Sequence, residues 1–101
     1  MALNYKLTTE ARQELDEALT WYRQRQEGLE AQFFDEFRKL IARIRDNPNQ
    51  FPGAYKRSRK AVFPKPFRFY TIYFQVQEDT AVILAVFHGR RKAKEWKRRV
   101  Q

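Results

Sequence analysis

His88-Gly89-Arg90-Arg91 joins the chain's only histidine to a pair of permanent cations, a combination that can move protons and steady negative charge in one place. Imidazole exchanges protons near neutrality, so His88 is the candidate general acid or base. Arg90, Arg91 and Arg68 carry fixed charge, which could stabilise the extra negative charge of a phosphorane-like transition state. The plainer alternative is that a histidine closing a strand caps it with one hydrogen bond and does nothing more.

A second cationic group, Lys56, Arg57, Arg59, Lys60, Lys65 and Arg68, has no acid among its members. If the strands here pair as antiparallel neighbours, part of this group lies near Arg90 and Arg91. The resulting concave patch would hold phosphates mainly through charge. Tyr55, Phe67, Tyr70 and Tyr73 are interleaved with these cations and could stack on single-stranded bases. Filling the interface between sheet and helices is the commoner fate of such rings. No nucleophile elbow, phosphate-cradling glycine loop or carboxylate pair accompanies the cations in the second half of the chain.

Composition narrows the possible functions. A chain of 101 residues with 43% hydrophobic content suits one compact domain, expected to span residues 1–101. The net charge of +9 is unevenly placed: residues 1–50 hold 8 basic and 9 acidic side chains, residues 51–101 hold 13 and 3. Polyanions or an acidic protein are therefore the expected partners of the second half. Cysteine is absent and histidine single, which argues against a zinc site or thiolate chemistry and leaves no metal or other cofactor expected. Neither a leader-like N-terminus nor a span of about 18 apolar residues is present, so a cytoplasmic location without membrane contact is expected.

Several elements must position these side chains. Tyr5-Lys6-Leu7 reads as a short extended segment, followed by a helix starting near Thr9, with Thr8 or Thr9 as N-cap and Glu10 in the first turn. Leu15, Ala18, Leu19 and Tyr22 share one face, Trp21 widens it, and Arg12, Glu14, Asp16, Arg23 and Gln24 are mostly left to water. Gly28 supplies the left-handed break. A second helix carries Leu29, Phe33, Phe37, Leu40, Ile41 and Ile44, with Phe33 and Phe37 read as core, and it stops at Asn47-Pro48.

Beyond a Pro- and Gly-bearing loop, Tyr55–Phe63 and Phe67–Val76 read as strands joined through Pro64-Lys65-Pro66, and Glu78-Asp79-Thr80 as a turn. The apolar run Ala81–Phe87 predicts a strand covered on both faces. Strict alternation would place Val82, Leu84, Val86 and His88 on one face, and Ala81, Ile83, Ala85 and Phe87 on the other. The basic tail ends in a short helix or arm anchored by Trp96 and Val100.

Strand, helical hairpin and strands in this order resemble the RelE/ParE superfamily of toxins from bacterial type II toxin-antitoxin modules. The likeness rests on Ala18-Leu19-Thr20-Trp21-Tyr22, on Gly28-Leu29 leading to Phe33, and on Ile44-Arg45-Asp46-Asn47-Pro48 with Phe51-Pro52. The strand Phe67-Arg68-Phe69-Tyr70-Thr71-Ile72-Tyr73-Phe74 and the ending Val86-Phe87-His88-Gly89-Arg90-Arg91 with Trp96 complete it. The likeness covers nearly the whole chain and is nearer the ParE side, whose members are often described as plasmid stabilisation proteins.

This resemblance implies an α+β, two-layer fold: an N-terminal strand and helical hairpin packed on an antiparallel sheet, the first strand beside the last, and a short C-terminal helix or arm. It implies growth inhibition neutralised by a cognate antitoxin, whose wrapping segment would suit the cationic half if acidic. For mechanism it implies either poisoning of DNA gyrase, as in ParE-like members, or cleavage of mRNA on the ribosome, as in RelE-like mRNA interferases. The second would draw on Lys56, Lys60, Arg68, His88 and Arg91, but no tyrosine follows Tyr73, which favours the gyrase reading. If the chain is a ribonuclease, His88, Arg91 and Arg68 are its expected catalytic residues. Lys56, Arg57, Arg59, Lys60 and Arg90 are expected to bind nucleic acid or the target.

Overall fold

A computed structural model describes residues 2–101. Strand β1 (Asn4–Leu7) leads into helix α1 (Thr9–Arg25), and helix α2 (Leu29–Asp46) returns beside it. Strands β2 (Arg59–Val62), β3 (Tyr70–Gln77) and β4 (Thr80–His88) follow, then a four-residue helix α3 (Lys94–Lys97). Thr8 caps α1 by accepting a hydrogen bond from the Ala11 amide, and Gly28 takes the left-handed conformation at φ 90° between the helices. A 3₁₀ turn, Pro48–Gln50, follows α2 where the sequence predicts the stop.

The sheet order is β1-β4-β3-β2. β2, β3 and β4 form an antiparallel meander, and β1 joins β4 in parallel, pairing Asn4 with Thr80 through Leu7 with Ile83. The architecture is the expected α+β arrangement, with the first strand beside the last. The second and third strands begin later than expected, at Arg59 and Tyr70 instead of Tyr55 and Phe67. Tyr55–Ser58 forms a turn instead, in which Lys56 sits at φ 54° and the Ser58 hydroxyl donates to the Tyr55 carbonyl at 2.5 Å.

The helical hairpin packs on one sheet face around Phe33, Ile44, Ile72, Phe74 and Ile83, all fully buried. Burial of each such side chain is worth about 1.5–3 kcal/mol. Phe33 stacks on Phe63 at 4.6 Å and meets Phe67 edge-on at 5.2 Å. Phe67 is thus core and is unavailable for base stacking. Phe37 is buried as expected, and its neighbour Phe34 is exposed. On the other sheet face Val82, Leu84, Ala85 and Phe87 pack with Trp96 and Val100 of the C-terminal segment. Trp96 stacks on Tyr73 at 3.7 Å.

Strict alternation does not survive β4. Tyr73 pairs with Ala85 but Phe74 pairs with Ile83, so Leu84 is an extra residue, a β-bulge. Ala81, Ile83 and Val86 face the helices, whereas Val82, Leu84, Ala85 and Phe87 face the C-terminal segment. Two consecutive residues therefore share a face at the bulge, and every later residue is on the face opposite to its expected one.

The bulge lies where β1 ends, so β4 backbone groups there need other partners. Leu84 C=O accepts from Arg99 Nη1 at 3.0 Å and from the Thr8 hydroxyl at 3.4 Å, and Val86 N–H donates to Glu14 Oε1 at 3.2 Å. Glu14, expected in water, is only 6% exposed.

Candidate functional site

The second half of α1 and the upper ends of β3 and β4 enclose a cleft of about 510 Å³. Trp21 and Tyr22 come from α1, Phe69 from the turn before β3, Tyr70 from its first position, and Val86, His88, Arg90 and Arg91 from the end of β4 and beyond. His88 reaches it only because of the bulge, which turns it, together with Val86, to the helix-facing side of the sheet that Ala81 and Ile83 share. Tyr70 pairs with His88 across the strands, and the Gly89 amide donates to the Phe69 carbonyl at 2.7 Å. A Cβ on Gly89 would lie 3.4 Å from that same oxygen, so the crossing is close but passable.

Aromatic rings hold the imidazole. Phe69 lies parallel to it at 5.9 Å and Tyr70 meets it edge-on at 5.1 Å. Its Nδ1 accepts the Arg90 amide proton at 3.1 Å. Burial, then the charges of Arg90 and Arg91, push the His88 pKa below its ordinary value. The ring is accordingly neutral at pH 7 with its proton on Nε2, which makes it a hydrogen-bond donor to the cleft. Burial also raises the Tyr70 pKa, with Tyr22 adding to the shift, so the phenol is a poor source of phenolate.

The cations are not pooled. Arg91 turns back to α1, with Nη2 3.1 Å from Glu17 and Nη1 3.6 Å from Glu14. Arg90 lies with its guanidinium 5.9 Å over the exposed Phe69 ring. Arg68 is exposed in the turn before β3. Arg59 donates to the Phe51 carbonyl at 2.6 Å and is used structurally. Lys60 pairs directly with Tyr73, whose ring lies on Trp96. Directly paired residues share a face, so Lys60 is on the sheet face opposite to His88. It is also three residues along, about 10 Å at strand spacing. Lys56 and Arg57 occupy the Tyr55–Ser58 turn, and Lys56 Nζ lies 5.2 Å over the Tyr55 ring.

The sequence suggests one concave cationic patch, and the structure has two separate surfaces. Strand register separates the groups, which composition cannot reveal. It also unites residues the sequence reading left out. Glu14, Glu17 and Phe69 line the cleft, and Trp21, expected in the apolar stripe, is half exposed at its rim with Arg25 stacked 3.7 Å over it. Glu14 had a legible signal: it lies three residues after Ala11 and four before Ala18, both buried in α1.

A model of the family described as the ParE toxin of the type II toxin-antitoxin system parDE matches residues 5–93. No curated protein matches the chain.

Proposed function

We propose, since the chain belongs to the ParE toxin family of type II toxin-antitoxin systems, that it arrests growth in the cytoplasm by holding DNA gyrase in a DNA-cleaved state. The observation that carries this reading is the division of the ribonuclease candidates between two sheet faces. His88 has its Nδ1 engaged by Arg90, Arg91 is paired with Glu17, and Lys60 projects from the other face. A phosphodiester in that arrangement finds no free base at His88, and neither Arg91 nor Lys60 is free beside it.

The cleft instead has the composition of a protein-binding surface. Trp21 is 50% and Phe69 55% exposed, and each carries an arginine stacked on it. Tryptophan and arginine are enriched where truncation costs most at interfaces. Residues 1–101 would act as one domain, with gyrase engaged at this rim. A cognate antitoxin, which the family implies, would oppose it with an acidic segment complementary to the cationic second half.

The test is a supercoiling reaction with purified gyrase. Added toxin should block supercoiling and accumulate cleaved DNA, and Trp21→Ala/Phe69→Ala should lose both effects while staying folded. Unchanged supercoiling at excess toxin, together with cleavage of ribosome-bound mRNA abolished by His88→Ala, would replace this reading with the mRNA interferase one.

A further inference from the structure

The sheet face opposite the cleft carries charge that the cleft does not use. Helix α3 is seated there by Trp96 on Tyr73, which brings Lys97 Nζ to 5.3 Å from the centre of the Tyr55 ring, beside Lys56 Nζ at 5.2 Å from that ring. Residues 41 positions apart in the chain thus converge on one exposed tyrosine. Lys60 stands on this same face, and Arg57 adds its charge in the Tyr55–Ser58 turn, as Lys94 and Arg98 do in and just after α3. All six cations are exposed. Among the described residues none of them has a carboxylate within ion-pair distance, unlike Arg23, Lys39, Arg91 and Arg99. From Ala54 to Gln77 the chain has no acid, and Glu95 is the only one after Asp79.

Six unpaired cations over a short α3, one strand and one turn repel each other unless a polyanion covers them. Both ammonium groups sit over the Tyr55 ring, so this ring is engaged by charge and is not open for a base to stack upon. Tyr73 is covered by Trp96. The surface therefore offers charge without base readout, which is the chemistry of backbone recognition.

We propose that this face binds the phosphate backbone of duplex DNA, without regard to sequence. The assignment of duplex DNA rests on the gyrase reading, because that enzyme's substrate is a duplex. The toxin would then contact the enzyme through the cleft rim and the enzyme-held DNA through the opposite face.

The experiment uses the toxin alone, without gyrase, and a fluorescent mixed-sequence 20-base-pair duplex. Binding should weaken steeply with salt. If about five phosphates are neutralised, log affinity against log salt has a slope of about −4.5, a loss of several hundred-fold between 50 and 200 mM. Lys56→Asn/Lys97→Gln should reduce that slope by about two. Asn tolerates the left-handed backbone at position 56, and circular dichroism checks the fold. Lys39→Gln, which alters a paired lysine on α2, should leave binding nearly unchanged.

Absence of duplex binding at 50 mM salt overturns the proposal, as does equal weakening by Lys39→Gln, which would mean net charge alone. Tighter binding to single-stranded RNA than to the duplex overturns it too. None of these outcomes touches the gyrase reading, which fails separately if the supercoiling reaction is unaffected by toxin.

Discussion

Glu14 grips Arg99 through both carboxylate oxygens, at 3.0 and 3.3 Å, while one of those oxygens also accepts the Val86 amide proton. Helix α1, the bulged strand and the C-terminal segment therefore meet at one buried carboxylate. Removing it strands a buried guanidinium and a backbone N–H together, so Glu14→Ala should destabilise by about 3 kcal/mol. Glu14→Gln keeps an acceptor for Val86 and should cost less. Urea unfolding of both variants, of Arg99→Met and of Glu14→Ala/Arg99→Met measures the coupling. Additive losses in that double-mutant cycle would show the contact to be incidental.

Trp96 is the anchor of the C-terminal segment, 3% exposed and stacked on Tyr73. Trp96→Ala should cost about 3–5 kcal/mol, the usual range for emptying a large aromatic site. Proteolysis should then cut first in the basic stretch after Gly89, before the hairpin and sheet are touched.

His88 gives stability a defined pH dependence. Its folded pKa lies below the ordinary 6.5, so the unfolded chain takes up this proton more readily than the native one. The contribution of the neutral ring is complete above the unfolded pKa and is lost as pH falls through the folded one. Thermal midpoints should drop between pH 7 and pH 5, and His88→Gln should flatten that part of the profile. An unaltered slope in the variant would assign the dependence to carboxylates.

Gly28 separates backbone from packing effects. A Cβ there would meet nothing within 4 Å, yet φ is 90°. Gly28→Ala should thus cost about 1 kcal/mol from the left-handed backbone alone, with Gly28→Asn costing less. Equal losses for the two would point away from the backbone.

At the cleft, stability and activity should part. Trp21 and Phe69 are half exposed, so alanine at each should change stability by only about 0.5 kcal/mol. Growth arrest on expression should nevertheless be lost. Arrest retained by the double variant would remove the rim from the target contact.

The helices were legible because their apolar spacing, Thr8 cap, Gly28 break and Asn47-Pro48 stop all agree, which is the condition under which local pattern determines structure. The β4 run was legible as doubly covered, but not in its facing. With residues 81–87 all apolar, no polar residue marks where a bulge interrupts alternation. The burial of Glu14 is not legible from its residue type, because a charged side chain is ordinarily solvated and its partners come from more than 70 residues away. The separation of the two cationic surfaces is equally illegible, because charge runs carry no strand register.

The extra residue at Leu84 also bears on how this chain tolerates insertion and deletion. Upstream of it odd-numbered positions of β4 belong to the helical layer, and downstream even-numbered ones do. Deleting Leu84 would keep every remaining position apolar up to the histidine, so an alignment would score the change as mild. Strict alternation would return across the junction, with Ile83 and Val86 still on the helical layer, Ala85 between them on the other and the imidazole still in the cleft; the loss would be the Leu84 carbonyl, on which Arg99 and the Thr8 hydroxyl converge.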